Sequence, residues 1–159
     1  LFYHSLIEKM QSAEYKPGWE KDVYPTPEFI TTSIDRGELY IGELDGEIAS
    51  AMVVNHSSNE GYQKVKWPND LKPEQFLVIH ALGVHSDYAG QGLAKEMVNE
   101  VFSLGCKQGM KAIRLDVLQG NLPAQKLYIK MGFKFVDTTE MYYDDTGWTN
   151  YELYEYSFD

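Results

Sequence analysis

The sequence predicts an α/β domain of the α+β kind, in which helices flank a mixed, mostly antiparallel sheet. Two observations carry that prediction. Four segments place apolar residues at helical spacing, and six runs of alternating or continuous apolar residues read as strands, some joined by tight turns. Helices interleaved with strands and hairpins define a layered sandwich around one sheet. At 159 residues and 18.3 kDa the chain is read as a single domain, 1–159, large enough to bury a full core.

Along residues 4–13, Leu6, Ile7 and Met10 mark a short helix. An aromatic, proline-bearing loop over 14–25 follows, carrying Tyr15, Pro17, Trp19, Tyr24 and Pro25. Thr26-Pro27 reads as a cap and first-turn proline, opening a helix that Gly37 ends. Strands at 39–44 and 47–54 flank Asp45-Gly46, a pair suited to the positive φ angles of a type I′ turn. Residues 55–73 are polar and read as a surface loop. An apolar strand at 75–84 leads into a glycine turn and a helix from about 91 to 108. A strand at 112–118, a helix at 122–131 and two strands at 133–143 and 149–158 complete the chain, the last two joined across residues 144–147.

Composition narrows the function. A net charge of −10 argues against nucleic acid, whose phosphates demand a basic surface, and favours a cationic small molecule. No apolar run approaches the roughly 20 residues needed to span a bilayer. The single Cys106 forms no internal disulfide and falls on the apolar stripe of its helix, which reads as a packed core thiol in a reducing, cytoplasmic setting. No metal site is assigned.

The most informative stretch is 76–94, where strand, glycine turn and helix meet. The first amides of a helix have no partner inside it and sit at the positive end of its dipole, so they suit a phosphate. Gly90 and Gly92 remove the side chains that would hold a bulky phosphate away. A Rossmann fingerprint would need glycine where Lys95 stands, and a Walker A loop would need Gly-Lys-Ser/Thr.

Together with Asn121-Leu-Pro-Ala124-Gln-Lys-Leu127-Tyr128 downstream, this turn resembles the GNAT superfamily of acetyl-coenzyme A-dependent N-acetyltransferases. The likeness covers nearly the whole chain and is strongest over 76–133. It implies six to seven strands with about four helices, the family's usual first strand lying ahead of Leu1. It also implies acetyl-coenzyme A as cosubstrate. The backbone amides of Ala89, Gly90, Gln91, Gly92, Leu93 and Ala94 would hold the pyrophosphate. Asp87 stands where the family carries Gln or Arg, so the side-chain role is not carried over. Leu82, Gly83 and Val84 match the strand whose main chain bonds the pantetheine arm, and Asn121 and Ala124 match the second motif.

Two residues are read as catalytic. Tyr128 matches the family tyrosine whose hydroxyl protonates the departing thiolate, and a phenol is protonated at neutral pH. An amine of pKa near 10.4 is neutral about once in some 2,500 molecules at pH 7, so a base must take its proton. His80 is the candidate, because strand alternation sets it on one face with Leu82 and Val84, and some arylalkylamine members carry a similar His-Ala-Leu-x-Val-His run. Glu43 and Glu74 are fallback bases, His85 shapes the turn, and Asp116 is read as a structural anchor.

In the resembled family the loop between the first two helices and the last hairpin wall the acceptor cleft. Here they supply Trp19, Tyr24, Tyr142 and Tyr143, with Glu20, Asp22, Asp144 and Asp145 nearby. Trp19, Tyr24 and Tyr142 are the candidate acceptor-binding residues, since aromatics with carboxylates suit an ammonium group. The Tyr-rich segment 142–156 is equally a candidate homodimer contact. The resulting expectation is a cytoplasmic enzyme that acetylates a primary amine, small molecule or peptide, by direct attack in a ternary complex. A non-catalytic acyl-coenzyme A sensor of the same fold and a dinucleotide binder are the rival readings.

Overall fold

The computed structural model describes residues 1–14 and 18–159; Tyr15 and Pro17 of the aromatic loop lie outside the described residues. Four helices and six strands follow in the order α1 (Phe2–Met10), α2 (Pro27–Asp35), β1 (Leu39–Leu44), β2 (Glu47–Asn55), β3 (Phe76–Val84), α3 (Leu93–Gln108), β4 (Ala112–Leu118), α4 (Leu122–Lys130), β5 (Lys134–Tyr143) and β6 (Gly147–Ser157). One sheet holds the strands in the order β1-β2-β3-β4-β6-β5. Only the central β3–β4 pair is parallel.

Local chemistry sets the element ends. Thr26 accepts a hydrogen bond from the Phe29 amide and Pro27 occupies the first turn of α2. Asp45 and Gly46 carry φ of +54° and +79°, the paired positive angles of the expected hairpin turn. Gly109 ends α3 in the left-handed region, its amide bonded to the Cys106 and Gly105 carbonyls.

Two apolar layers sandwich the sheet. On one side Met97, Val98 and Val101 of α3 and Tyr128 of α4 pack with Met52, Leu77, Ile79, Ile113, Leu115 and Tyr154. On the other, Tyr62 and Val65 cover Phe76, Val78, Met141, Tyr151 and Leu153. α1 lies over the end of β3, where Gly83 makes room: a Cβ there would stand 2.5 Å from Leu6 and 3.1 Å from the Trp19 ring.

Three expectations change. The segment 55–73 is not a plain surface loop. It holds a 3-10 turn at Glu60–Lys64 whose Tyr62 is buried, and the polar composition hid that one aromatic plug. Cys106 is exposed rather than packed. The buried stripe of α3 runs through Val98, Val101 and Gly105, with the Phe158 ring against Gly105, so Cys106 falls one residue past it.

The third change concerns β3. Val53 pairs with His80 and Ala51 with Gly83, so three steps on β3 face two on β2, and Ala81 carries φ of +52°. That bulge breaks the alternation. Leu82 packs with the Leu77 and Ile79 layer, whereas the His80 ring meets Phe29 of α2. His80 and Leu82 therefore do not share a face.

Candidate active site

β3 and β4 pair only through Phe76–Ala112, Leu77–Ile113 and Val78–Arg114, then part. Beyond Val78 the edge of β3 facing β4 carries backbone donors and acceptors without a ladder partner among the described residues. A cavity lies in the gap, lined by residues from both faces of the sheet. Its walls are Ile79, His80, Ala81 and Leu82 of β3 and residues 115–118 of β4. Asn121, Ala124 and Tyr128 line it from the α4 side, and Trp19, Tyr24, Tyr143, Asp145 and Tyr151 from the other.

At the end of β3 the chain enters the glycine turn. His85 caps it, its Nδ1 accepting from the Asp87 amide while its Nε2 bonds Ser5 Oγ at 3.0 Å. Gly90 and Gly92 adopt φ of +78° and +77°, and a Cβ built on either meets nothing within 4 Å. Residues 89–92 are exposed and Leu93 opens α3, whose first amides have no partner inside the helix. The expected Ala89 donor, however, is already bonded to the Ser86 carbonyl at 3.2 Å. Asp87 is paired with Lys9 of α1, Nζ to Oδ1 at 2.7 Å. Both features fit a diphosphate: a glycine turn open to solvent at a helix start and a lysine balancing the carboxylate beside it.

The two expected catalytic side chains meet in the cavity. Tyr128 is buried, and burial together with the charge of Asp116 pushes its phenol well above the usual range. His80 Nε2 lies 2.8 Å from Asn55 Oδ1. Asn55 Nδ2 donates to Glu38 and its Oδ1 accepts from the Ser57 amide, which fixes the amide's orientation and makes His80 Nε2 the donor. Burial lowers the His80 pKa to about 4, with a backbone hydrogen bond at Ser57 pulling the other way, so the ring is neutral at pH 7.

Trp19 and Tyr24 stand where an acceptor wall is expected, but Tyr142 does not. Tyr142 is exposed and packs on Trp148, while Tyr143, one step along β5, turns into the cavity. Gly83 and Val84 carry β3 past the cavity toward the turn, paired to Ala51 and Ser50 of β2. Glu43 and Glu74 do not line the cavity. Asn121 caps α4, accepting from the Ala124 amide at 3.4 Å.

The acidic floor joins two carboxylates that the sequence names separately, Asp116 as an anchor and Asp145 beside the acceptor aromatics. Asp116 is partly buried at the centre of β4, with the Tyr62 and Tyr143 hydroxyls donating to its Oδ2 at 2.7 and 2.8 Å. Asp145, in the β5–β6 turn, has its pKa raised to about 6 by partial burial and the nearby carboxylates Glu20 and Asp144.

Comparison with known proteins matches this architecture. The chain belongs to the acetyltransferase (GNAT) family, whose profile matches residues 4–133. It is 26% identical over 107 residues to the uncharacterized N-acetyltransferase YesJ of Bacillus subtilis, a match covering 67% of this chain and 58% of that protein. The chain thus spans less than two thirds of that relative's length. A solved putative acetyltransferase of Staphylococcus aureus Mu50 superimposes with a TM-score of 0.69 at 26% identity, over 98% of this chain and 87% of that one. A GNAT family acetyltransferase of Elizabethkingia anophelis, solved with acetyl-CoA bound, shares the fold at a TM-score of 0.61 and 18% identity, over 86% of each chain. Among the described residues, no helix is long and apolar enough to cross a membrane.

Proposed function

We propose that this protein transfers an acetyl group from acetyl-CoA to a primary amine by direct attack within a ternary complex. One observation carries the reading. One cavity lies where β3 and β4 part and is lined both by Asn121 and Tyr128 on the α4 side and by Trp19, Tyr24 and Asp145 on the aromatic and acidic side. Donor and acceptor can therefore meet from opposite faces with no covalent relay on the protein. Family membership and a fold relative solved with acetyl-CoA support the choice of donor.

Acetyl-CoA supplies the activated thioester carbonyl. The amides of the glycine turn and of Leu93 and Ala94 bind its diphosphate, and the unpaired edge of β3 bonds its amide-bearing arm. Backbone donors of that same edge near Val84 stabilise the oxyanion that develops at the carbonyl. Tyr128, protonated throughout the neutral range, gives its proton to the departing sulfur. His80, neutral at pH 7, is a polar wall of the cavity and accepts a proton from the amine in the simplest form of this reading.

Thermal melts with acetyl-CoA, NAD and ATP, followed by free-thiol release with a panel of arylalkylamines, polyamines and peptides, test it. Acetyl-CoA raises Tm, at least one amine releases coenzyme A, and Tyr128→Phe lowers kcat by about 10²-fold or more with the acetyl-CoA Tm shift kept. Binding without turnover of any amine would make the protein an acyl-CoA sensor. A Tm response to NAD alone would remove the family cosubstrate altogether.

A further inference from the structure

Asp116 is a partly buried carboxylate in the cavity wall, and among the described residues no ion pair reaches it. Among the described residues its partners are two phenols, and both donate to the same oxygen, Oδ2. No hydrogen bond from the described residues reaches Oδ1, and the residue lines the cavity between β3 and β4. Arg114, the nearest basic residue on its strand, is bound to Glu155 at 2.8 Å. A carboxylate partly withdrawn from water with one oxygen unbonded is poorly served unless a partner arrives. An ammonium ion entering the cavity beside the touching Tyr24 and Tyr143 rings supplies that partner.

We propose that Asp116 Oδ1 receives the ammonium of a small primary amine and takes its proton, which makes Asp116 the catalytic base. The inference rests on the acetyltransferase reading and deepens it. His80 holds its Nε2 proton on Asn55 and has a further backbone hydrogen bond at Ser57, so its ring is tied to the β2 side. Asp116 Oδ1, by contrast, has no hydrogen bond among the described residues.

The step balances. Oδ1 removes one proton from R–NH3+, and the freed lone pair forms the C–N bond. As the C–S bond breaks, sulfur leaves with the electron pair and takes the Tyr128 proton. The second nitrogen proton restores the phenol, and Asp116 releases its own to solvent. Products are the amide, the free thiol and one proton.

Burial holds the Asp116 carboxyl above its usual range, and the Tyr62 and Tyr143 hydrogen bonds pull it down. The other groups facing it are the phenols of Tyr24, Tyr128 and Tyr151, with Asp145 and His80 in the same cavity. Activity is therefore expected to fall as pH drops through the Asp116 pKa. Tyr62 lies beneath the floor and donates only to Oδ2, so Tyr62→Phe removes a bond that favours the carboxylate and moves the acid limb of kcat/KM to higher pH.

The experiment measures thiol release with acetyl-CoA and the amine panel for the full chain, Asp116→Asn and Tyr62→Phe, across pH 5 to 9. Asp116→Asn is expected to lower kcat by about 10²- to 10⁴-fold, keep the acetyl-CoA Tm shift and lose the acid limb. Wild-type kcat and an intact acid limb in Asp116→Asn would overturn the proposal while leaving the acetyltransferase reading in place. If the wild type turns over no amine, that reading falls and takes this one with it. If Asp116→Asn does not fold, an acid limb unmoved in Tyr62→Phe overturns the proposal.

Discussion

Single residues decide which side chains reach the chemistry. Tyr142 and Tyr143 differ by one strand step, yet one stacks on Trp148 in solvent and the other donates to Asp116. Sequence shows both as equal tyrosines, and only the register of β5 against β6 separates them. The glycine turn at Gly90 and Gly92 and the inward face of Tyr128 were legible because turn geometry and helix spacing are local. The phenol contacts of Asp116 were not, because those two partners lie 54 and 27 residues away. His80 has a consequence for acid stability. Its folded pKa near 4 lies below the ordinary 6.5, so the unfolded chain binds the extra proton between those values. The stabilisation is whole above pH 6.5 and is lost as pH falls to 4, by up to about 3 kcal/mol. Asp145, raised from 3.8 to about 6, acts oppositely on acidification, but it is half-exposed and solvent weakens its share. His80→Gln keeps a donor for Asn55 and should therefore show a flatter fall of Tm from pH 6.5 to 4.5. An unchanged slope would refute this assignment.

Elements were read well where periodicity is strong and poorly where one irregular residue controls the path. All six strands and four helices fall within a few residues of expectation. The bulge at Ala81 was invisible, since no glycine or proline announces it, and it moves Leu82 to the face opposite His80. The connection after β2 was also misjudged, because its anchors are distant. Arg114 sits 4.2 Å from the ring centres of both Trp67 and Phe76, bonds the Asn69 carbonyl at 2.7 Å and pairs with the buried Glu155. Asn69 returns a hydrogen bond to Glu155 at 2.7 Å, so this cluster fastens the connection to the sheet. Arg114→Met leaves the Glu155 charge buried and unpaired, and is expected to cost about 3–5 kcal/mol in urea unfolding. Replacing Glu155 by Leu in the same chain should restore most of that loss. Equal stability of single and double variants would show that the pairing is not what matters.

Across the whole molecule, the net charge of −10 would act with opposite sign on the two substrates of the proposed reaction. It would draw a cationic amine toward the cleft and repel the anionic donor. Raising ionic strength from about 10 mM to 500 mM shortens the Debye length from roughly 30 Å to under 5 Å. The KM for a cationic amine should then rise while that for acetyl-CoA falls. Parallel movement of both would show that the global field does not reach the cleft. A mixed, mostly antiparallel sheet was legible from the order of elements, but the parting of β3 from β4 and the cavity between them appear only in three dimensions.

α1 touches the path of β3 at three successive points: Tyr3 to the Ala81 carbonyl at 2.9 Å, Ser5 to His85, and Lys9 to Asp87. The amino-terminal helix and the donor cradle are in this way mechanically joined, although they lie some 80 positions apart in the chain. A fluorophore on the outer side of that helix would report donor occupancy without intruding on the cleft. Such labelling through a thiol first requires Cys106, exposed on α3, to be replaced.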